Sequence, residues 1–511
     1  MHAGDAGGAS FSFPDPSIRV PFQPSPSQSP APPPHPTRLS FMNKSLLMLL
    51  ASMSLLGTAA AGASPWTVTE TARDNGHRLA ALGAPSGETK AVSTLSIRCD
   101  ETALLQEIEG FGGALTESAG YVLSKLPAAS RARVLRSYYD PAEGIGYTLA
   151  RTHINSCDFS LKPWALAETP GDTELKHFSL EPMRQWTLPL IREAQAIAGR
   201  DRFRLLAAPW SPPAWMKDNG SMLQGGSLLP QYRDTWARHF VRFVEALRDQ
   251  EGIPVWALTV QNEPAAKQTW ESCLYTPEQE RDFVAQHLGP ALEKAGLGSI
   301  HLLGLDHNRD ILEERARAML GDPKSAKYLW GMALHWYVSE DFAASSRVKA
   351  AFPDKKLLFT EGCMEGGAKP GSWAPGERYA RNIIGDLRNH VSGWIDWNIA
   401  LDLQGGPNHV NNFCDAPILV DTAKGEYLVQ NSFHYIGHFS RFVKTGARRI
   451  ASEGGSATLQ HVAFVNPDRS LVVVVLNVGD QPESFTLETA SGKLSCTLPP
   501  HAIRTYLRST P

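Results

Sequence analysis

Between about residues 105 and 400 the chain repeats one pattern eight times: a short, β-rich apolar run bounded by turn residues, followed by an amphipathic stretch. The runs are EIEGFGGAL, GYTLARTHI, FRLLAAPWS, VWALTVQNE, IHLLGLDHN, GMALHWYV, KLLFTEG and GWIDWNIAL. Between them stand helical segments such as SRARVLRSYYD, YRDTWARHFVRFVEALRDQEG and PEQERDFVAQHLGPALEKAG. The last of these opens on Thr276-Pro277-Glu278, a good helix start, and runs out near Gly296. Strand and helix alternating eight times predict a (β/α)8 TIM barrel over residues 101–440.

The two ends follow another period. From 441 to 511, runs such as ATLQHVAFVNP, SLVVVVLNVG and AIRTYLR are punctuated by Gly, Pro and Asn-Pro turns, which predicts an all-β module. Residues 64–100 carry further extended runs, and no Gly/Ser-rich linker separates the parts. The expectation is a side β-sandwich built from both termini. Residues 1–41 include the Pro/Ser-rich stretch PFQPSPSQSPAPPPHPTR, read as a disordered or spurious extension. Residues 42–63 read as a signal peptide: Met42-Asn43-Lys44, an apolar run too short to span a bilayer, then small residues up to Ala61 or Ala63. That places the protein outside the cytoplasm, secreted or periplasmic.

A net charge of −3 over 511 residues gives no basic excess for a nucleic-acid partner. The six cysteines show no CxxC or zinc-ligand spacing, and their pairing is open. Asp306, His307 and Asp310 are a weak metal pattern, so neither metal nor organic cofactor is expected.

Active sites of such barrels sit at the C-terminal ends of the strands. The fourth strand runs out in Gln261-Asn262-Glu263-Pro264 and the seventh in Thr360-Glu361-Gly362. Two carboxylates facing one cleft are the minimum equipment for glycoside hydrolysis, one to protonate the leaving oxygen and one to attack the anomeric carbon. Either Glu alone is more often a solvated strand-end carboxylate; the pair, with Asn262 before Glu263 and Pro264 after it, favours chemistry. Arg151, on the second strand, is placed to hold Glu361 ionised. His335 and Tyr337 follow the sixth strand, where the phenol can donate to Glu361. Trp210 and Trp397 can wall an apolar sugar face or simply fill the core. Glu117 is a candidate sugar contact or, beside Thr116, a helix N-terminal carboxylate.

The motifs GFGGALTES, SCDFS, PWSPPAWMK, TVQNEP, LHWYV, WIDWNIAL and GGPNHVNNFCDAPI resemble glycoside hydrolase family 30, most closely its acid β-glucosidase (glucosylceramidase) branch, through most of residues 105–445. The resemblance implies a (β/α)8 barrel with a side β-sandwich. It also implies Glu263 as acid/base, Glu361 as nucleophile, and Trp210, Asn262, Trp397, Asn412 and Glu117 as sugar contacts, although that branch has Asp at the last position. Cys363 falls on a site-proximal cysteine. The loop AAKQTWESC after Glu263 is shorter than in that branch and carries Trp270 and Glu271. It keeps a relative that cleaves β-1,6-glucan in play beside one that cleaves a glycolipid. A non-catalytic carbohydrate-binding protein is the reading from another class, and it has no need of both carboxylates. A membrane-surface or lipid-transfer role lacks a basic amphipathic helix or a lipidation motif.

Overall fold

Three of the five residues of Gly110–Ala114 (β1) are glycine, and the reason is contact: a Cβ on Gly112 would stand 2.0 Å from the carbonyl oxygen of Leu149 on the next strand. This strand and seven others close a parallel barrel in the computed structural model, which describes residues 66–83 and 94–509. The others are Leu149–Ile154 (β2), Arg204–Pro209 (β3), Val255–Thr259 (β4), His301–Asn308 (β5), Leu329–His335 (β6), Lys356–Glu361 (β7) and Gly393–Asn398 (β8). All eight expected runs are barrel strands. The signal-peptide and extension readings fall outside the described residues.

Helices pack around the ring by burying one stripe each. Arg233–Glu251 turns Trp236, Phe240, Phe243, Val244 and Leu247 inward at helical spacing, each worth about 1.5–3 kcal/mol of burial. It ends where Gly252 takes a left-handed conformation, φ 66°. The helix that begins at Pro277 is capped as expected, Thr276 and Gln279 forming a reciprocal capping box.

The terminal strands form a nine-stranded sheet in the spatial order 492–498, 483–489, 96–107, 448–454, 459–465, 471–477, 502–508, 66–72, 80–82. Phe485 and Tyr506 sit on the second and seventh strands of that order, yet their rings meet at 6.2 Å. The sheet therefore folds on itself around a core that includes Trp66, Val68, Ile97, Val473 and Leu498. Both termini build the sandwich, but its last N-terminal strand, Ser96–Glu107, runs through the expected boundary at residue 100 and hands directly to β1 at Gly110. A third, three-stranded sheet of Ala400–Asp402, Ile418–Asp421 and Glu426–Val429 follows β8, which the sequence patterns did not reveal. It braces the loop that carries Asn412 and Cys414.

Candidate active site

Glu361 ends β7, and its two oxygens have different partners. The Arg151 guanidinium bonds Oε2, while the Tyr337 hydroxyl donates to Oε1 at 2.8 Å. Arg151 lies within β2 rather than closing it and is fully buried inside the barrel. Its other terminal nitrogen reaches Asn262 Oδ1 and Asp306 Oδ2, both at 2.8 Å. Its charged plane also lies over Trp210 and Trp397, at 4.8 and 5.4 Å from the ring centres.

Asp306 is the hub behind the site. Besides Arg151 it accepts from Thr259 at 2.7 Å, Thr360 at 2.6 Å and His335 Nε2 at 3.0 Å. Burial pushes its carboxyl up, but the Arg151 charge and these donors outweigh burial and hold it well below the usual range. Its acceptor positions are thus occupied by protein, and Asp310 lies exposed, so the Asp306–His307–Asp310 pattern does not converge on an ion. The groups that do converge are Glu263, His335 and Glu361, with one ligand-type atom each within 4.8 Å of the others. The Arg151 cation on Glu361 opposes a second cation there.

Glu263 follows β4 with φ 48°, a left-handed conformation uncommon for a side-chain-bearing residue, which aims its carboxylate across the barrel mouth. His335, the last residue of β6, bridges the two acids: Nδ1 is 3.3 Å from Glu263 Oε1 while Nε2 faces Asp306. Burial opposes its charge. The Glu361 charge and the bonds to Asp306 and Glu263 win, and its pKa is pushed up to about 9. For Glu263 burial raises the pKa, but the His335 bond and charge, with His307 and Gln268, bring it below its ordinary value.

Glu263 and Glu361 line a cavity of about 260 Å³ together with Asn262, Asp158, Trp210, Trp270, Tyr337, Cys363, Glu365, Trp397, Asn412 and Cys414, with His335 and Asp306 behind it. Trp210 and Trp397 stack on one another at 5.3 Å, making one continuous aromatic wall. Asn412 donates to Asp158 Oδ2 at 3.1 Å, and burial pushes Asp158 up to about 7.

Glu117 is elsewhere. It is the first residue of the helix capped by Thr116, and its Oε2 accepts from the Trp164 indole at 2.8 Å and from Leu161 N at 3.4 Å. Those bonds turn it into a neighbouring cavity of about 750 Å³, and it does not line the one shared by Glu263 and Glu361. Within the loop after Glu263, Trp270 faces the cavity, whereas Glu271 is buried on Ser156 (2.5 Å) and opposite His409 (3.2 Å). Asp158 and Gln268, which donates to Glu263 Oε2 at 3.2 Å, were missed by sequence reasoning. Asp158 stood inside the SCDFS motif as a visible signal. Gln268 had only its place in the divergent loop.

This pair of facing carboxylates, set in a polar cavity with an aromatic wall at the C-terminal mouth of a (β/α)8 barrel, is the equipment of a glycosidase. The family comparisons agree. The glycosyl hydrolase family 30 TIM-barrel domain matches residues 108–443, and the family 30 beta sandwich domain matches residues 446–506. The chain belongs to glycoside hydrolase family 30 and is a glycosidase. It is 38% identical to the lysosomal acid glucosylceramidase of Mus musculus over 79% of this chain and 81% of that one. It is 29% identical to an endo-1,6-beta-D-glucanase of Neurospora crassa over 86% and 93%. Among solved structures, SrfJ from Salmonella typhimurium superposes with a TM-score of 0.83 at 34% identity, covering 87% of this chain and all of that one. Among the described residues no helix is long and apolar enough to cross a membrane.

Proposed function

We propose that this chain is a retaining β-glucosidase acting on glucosylceramide-type substrates, exported by the segment that begins at Met42. The observation that carries the reading is the convergence of Glu263 and Glu361, with an oxygen of each within 4.8 Å. Retaining pairs stand about 5–5.5 Å apart, whereas inverting pairs leave about 6.5–9.5 Å for a water.

Glu361 is the nucleophile. Arg151 and Tyr337 direct both its oxygens by donating to Oε2 and Oε1. Glu263 is the acid/base, and its proton is shared with His335. In the open cavity the charge rests on His335. A bound sugar excludes water and strengthens burial, already the largest influence on Glu263, so the proton crosses from His335 Nδ1 to Glu263. Glu263 then protonates the glycosidic oxygen as Glu361 attacks the anomeric carbon, giving the glycosyl-enzyme. In the second step the ionised Glu263 takes a proton from water, which breaks the ester with net retention. The stacked Trp210 and Trp397 offer an apolar face to the ring, and Asn262, Asn412 and Asp158 offer polar groups to hydroxyls.

A second reading, cleavage of β-1,6-glucan, is favoured by the loop after Glu263, where Trp270 and Gln268 line the cavity beside the acid/base. Both substrates should be compared side by side, with the anomer first released followed by proton NMR. Rapid release of β-glucose from glucosylceramide supports the first reading. Release from the glucan alone replaces it with the second, and α-glucose as first product refutes retention.

A further inference from the structure

Two thiols share the cavity with the carboxylate pair. Cys363 stands two residues beyond Glu361, and Cys414 lies on the loop leading to the strand Ile418–Asp421. The segments are clasped antiparallel: Glu365 and Cys414 form a bridge, Asp415 N donates to Met364 O at 2.8 Å, and Gly366 N to Phe413 O at 3.1 Å. In that register Cys363 and Cys414 are diagonal neighbours on the same face, and both line the cavity. Cys363 Sγ is also 3.6 Å from the Tyr337 hydroxyl, the group that donates to Glu361, and Cys414 Sγ donates to Asn412 O at 3.8 Å. The four remaining cysteines are differently placed: Cys99 and Cys496 lie in the sandwich core, Cys273 lies near Lys217, and Cys157, buried in the same apolar cluster as the two thiols, packs on Ser160 and does not line the cavity.

Adjacent sulfur donors select soft cations. Among the described residues no third His, Cys, Asp or Glu ligand converges with the two thiols. The ion must therefore be content with two ligands. A divalent ion that displaces both thiol protons leaves the pocket's charge unchanged, which matters beside Glu361 and Glu365. A monovalent ion would leave the pocket more negative. We propose that Cys363 and Cys414 form a binding site for a soft, two-coordinate divalent cation of the mercuric type inside the cavity, and that its occupation inhibits the enzyme. Binding exchanges two S–H bonds for two S–metal bonds and releases two protons; no oxidant takes part. The ion then sits between the Tyr337 hydroxyl and the loop carrying Asn412, where it blocks the sugar and disturbs the hydroxyl's bond to Glu361.

The test titrates fully reduced, desalted protein with mercuric chloride and follows native mass spectra and aryl β-glucoside hydrolysis together. One ion per chain is expected, held by the peptides containing Cys363 and Cys414, with activity lost in step with occupancy and restored by an excess of a dithiol chelator. Cys414→Val and Cys363→Ala should each weaken that binding more than about 100-fold, beyond what loss of a supporting contact does, with inhibition read against each variant's own activity. Cys496→Ala, in the sandwich, should bind as the wild type does. Tight binding that survives in Cys414→Val, an ion on other cysteines, or full occupancy without inhibition would overturn the proposal. The mass readout stands whatever glycoside the enzyme cleaves.

Discussion

Replacing Arg151 with Met keeps an unbranched, apolar stem and removes the guanidinium that bonds both Glu361 and Asp306. Both pairs are buried: Arg151 and Asp306 are fully covered, and the Glu361 side chain is 7% exposed. Breaking a buried pair costs about 3–5 kcal/mol, mostly from the charge left behind. Asp306 keeps three donors in Thr259, Thr360 and His335, and Glu361 keeps Tyr337, so the total should stay near one pair's worth, about 4 kcal/mol. At about 2.1 cal/mol/K per residue, a fold of this size has an unfolding entropy near 0.9 kcal/mol/K, and Tm should fall by about 4 °C at pH 7. The sign of the pH dependence is set by Asp306. Its folded pKa is depressed by Arg151, so the stability this pairing supplies is present above the ordinary Asp value and lost as pH falls through the folded one. The Tm gap between variant and wild type should therefore narrow as pH drops toward about 4, where the stranded carboxylate takes up a proton. Adding Asp306→Asn should return part of the lost Tm. Scanning calorimetry at both pH values, with kcat for an aryl β-glucoside, reads all of this. A Tm unchanged at pH 7, or a gap that widens in acid, would refute the reasoning.

Glu361→Gln should remove turnover in a folded protein, because an amide cannot form the glycosyl-enzyme; single-turnover assays with near-normal rates would end its nucleophile role. Glu263→Ala should slow poor leaving groups by about 10²–10⁴-fold while sparing activated aryl glucosides in the first step. Azide should then restore turnover as β-glucosyl azide, and equal loss on good and poor leaving groups with no azide rescue would make Glu263 structural. Asp158 has its folded pKa raised to about 7, so the native state binds its proton more tightly and this residue's contribution to stability declines as pH rises from about 4 to 7. Asp158→Asn should raise Tm more at pH 8 than at pH 5, at the expense of a higher KM; a Tm change independent of pH would contradict the assignment.

The barrel was legible because each strand is a β-rich run closed by turn residues, and because a parallel strand buried on both faces leaves a near-continuous apolar signature. Glu263 and Glu361 were legible for a related reason: a carboxylate at the exit of an apolar strand has one place to go, the barrel mouth. Arg151 and Tyr337 were correctly paired with Glu361 because strand ends are neighbours at that rim. What escaped was set by loops. Glu117 differs from the expectation because its direction depends on Trp164 and Leu161, which no pattern at residue 117 announces. Asp306 read as a weak metal ligand because its four protein donors come from β2, β4, β6 and β7. Gln268 and Cys414 enter the site through chain reversals that have no period.

The pairing of the outermost strands sets the order in which this chain can finish folding. Trp66–Ala72 lies in full register against Ala502–Arg508, and Arg504 Nε bonds Glu70 at 2.5 Å across 434 residues of chain. At a synthesis rate of about 5–20 residues per second, the first strand waits on the order of half a minute or longer for its partner to be made. Only over the last hundred or so residues of that interval, after Asn398, does the barrel have all its strands while the sandwich edge still lacks a neighbour. Vectorial folding of the sandwich therefore waits until residues 502–508 have been made, and loss of that strand leaves Trp66–Ala72 without this partner.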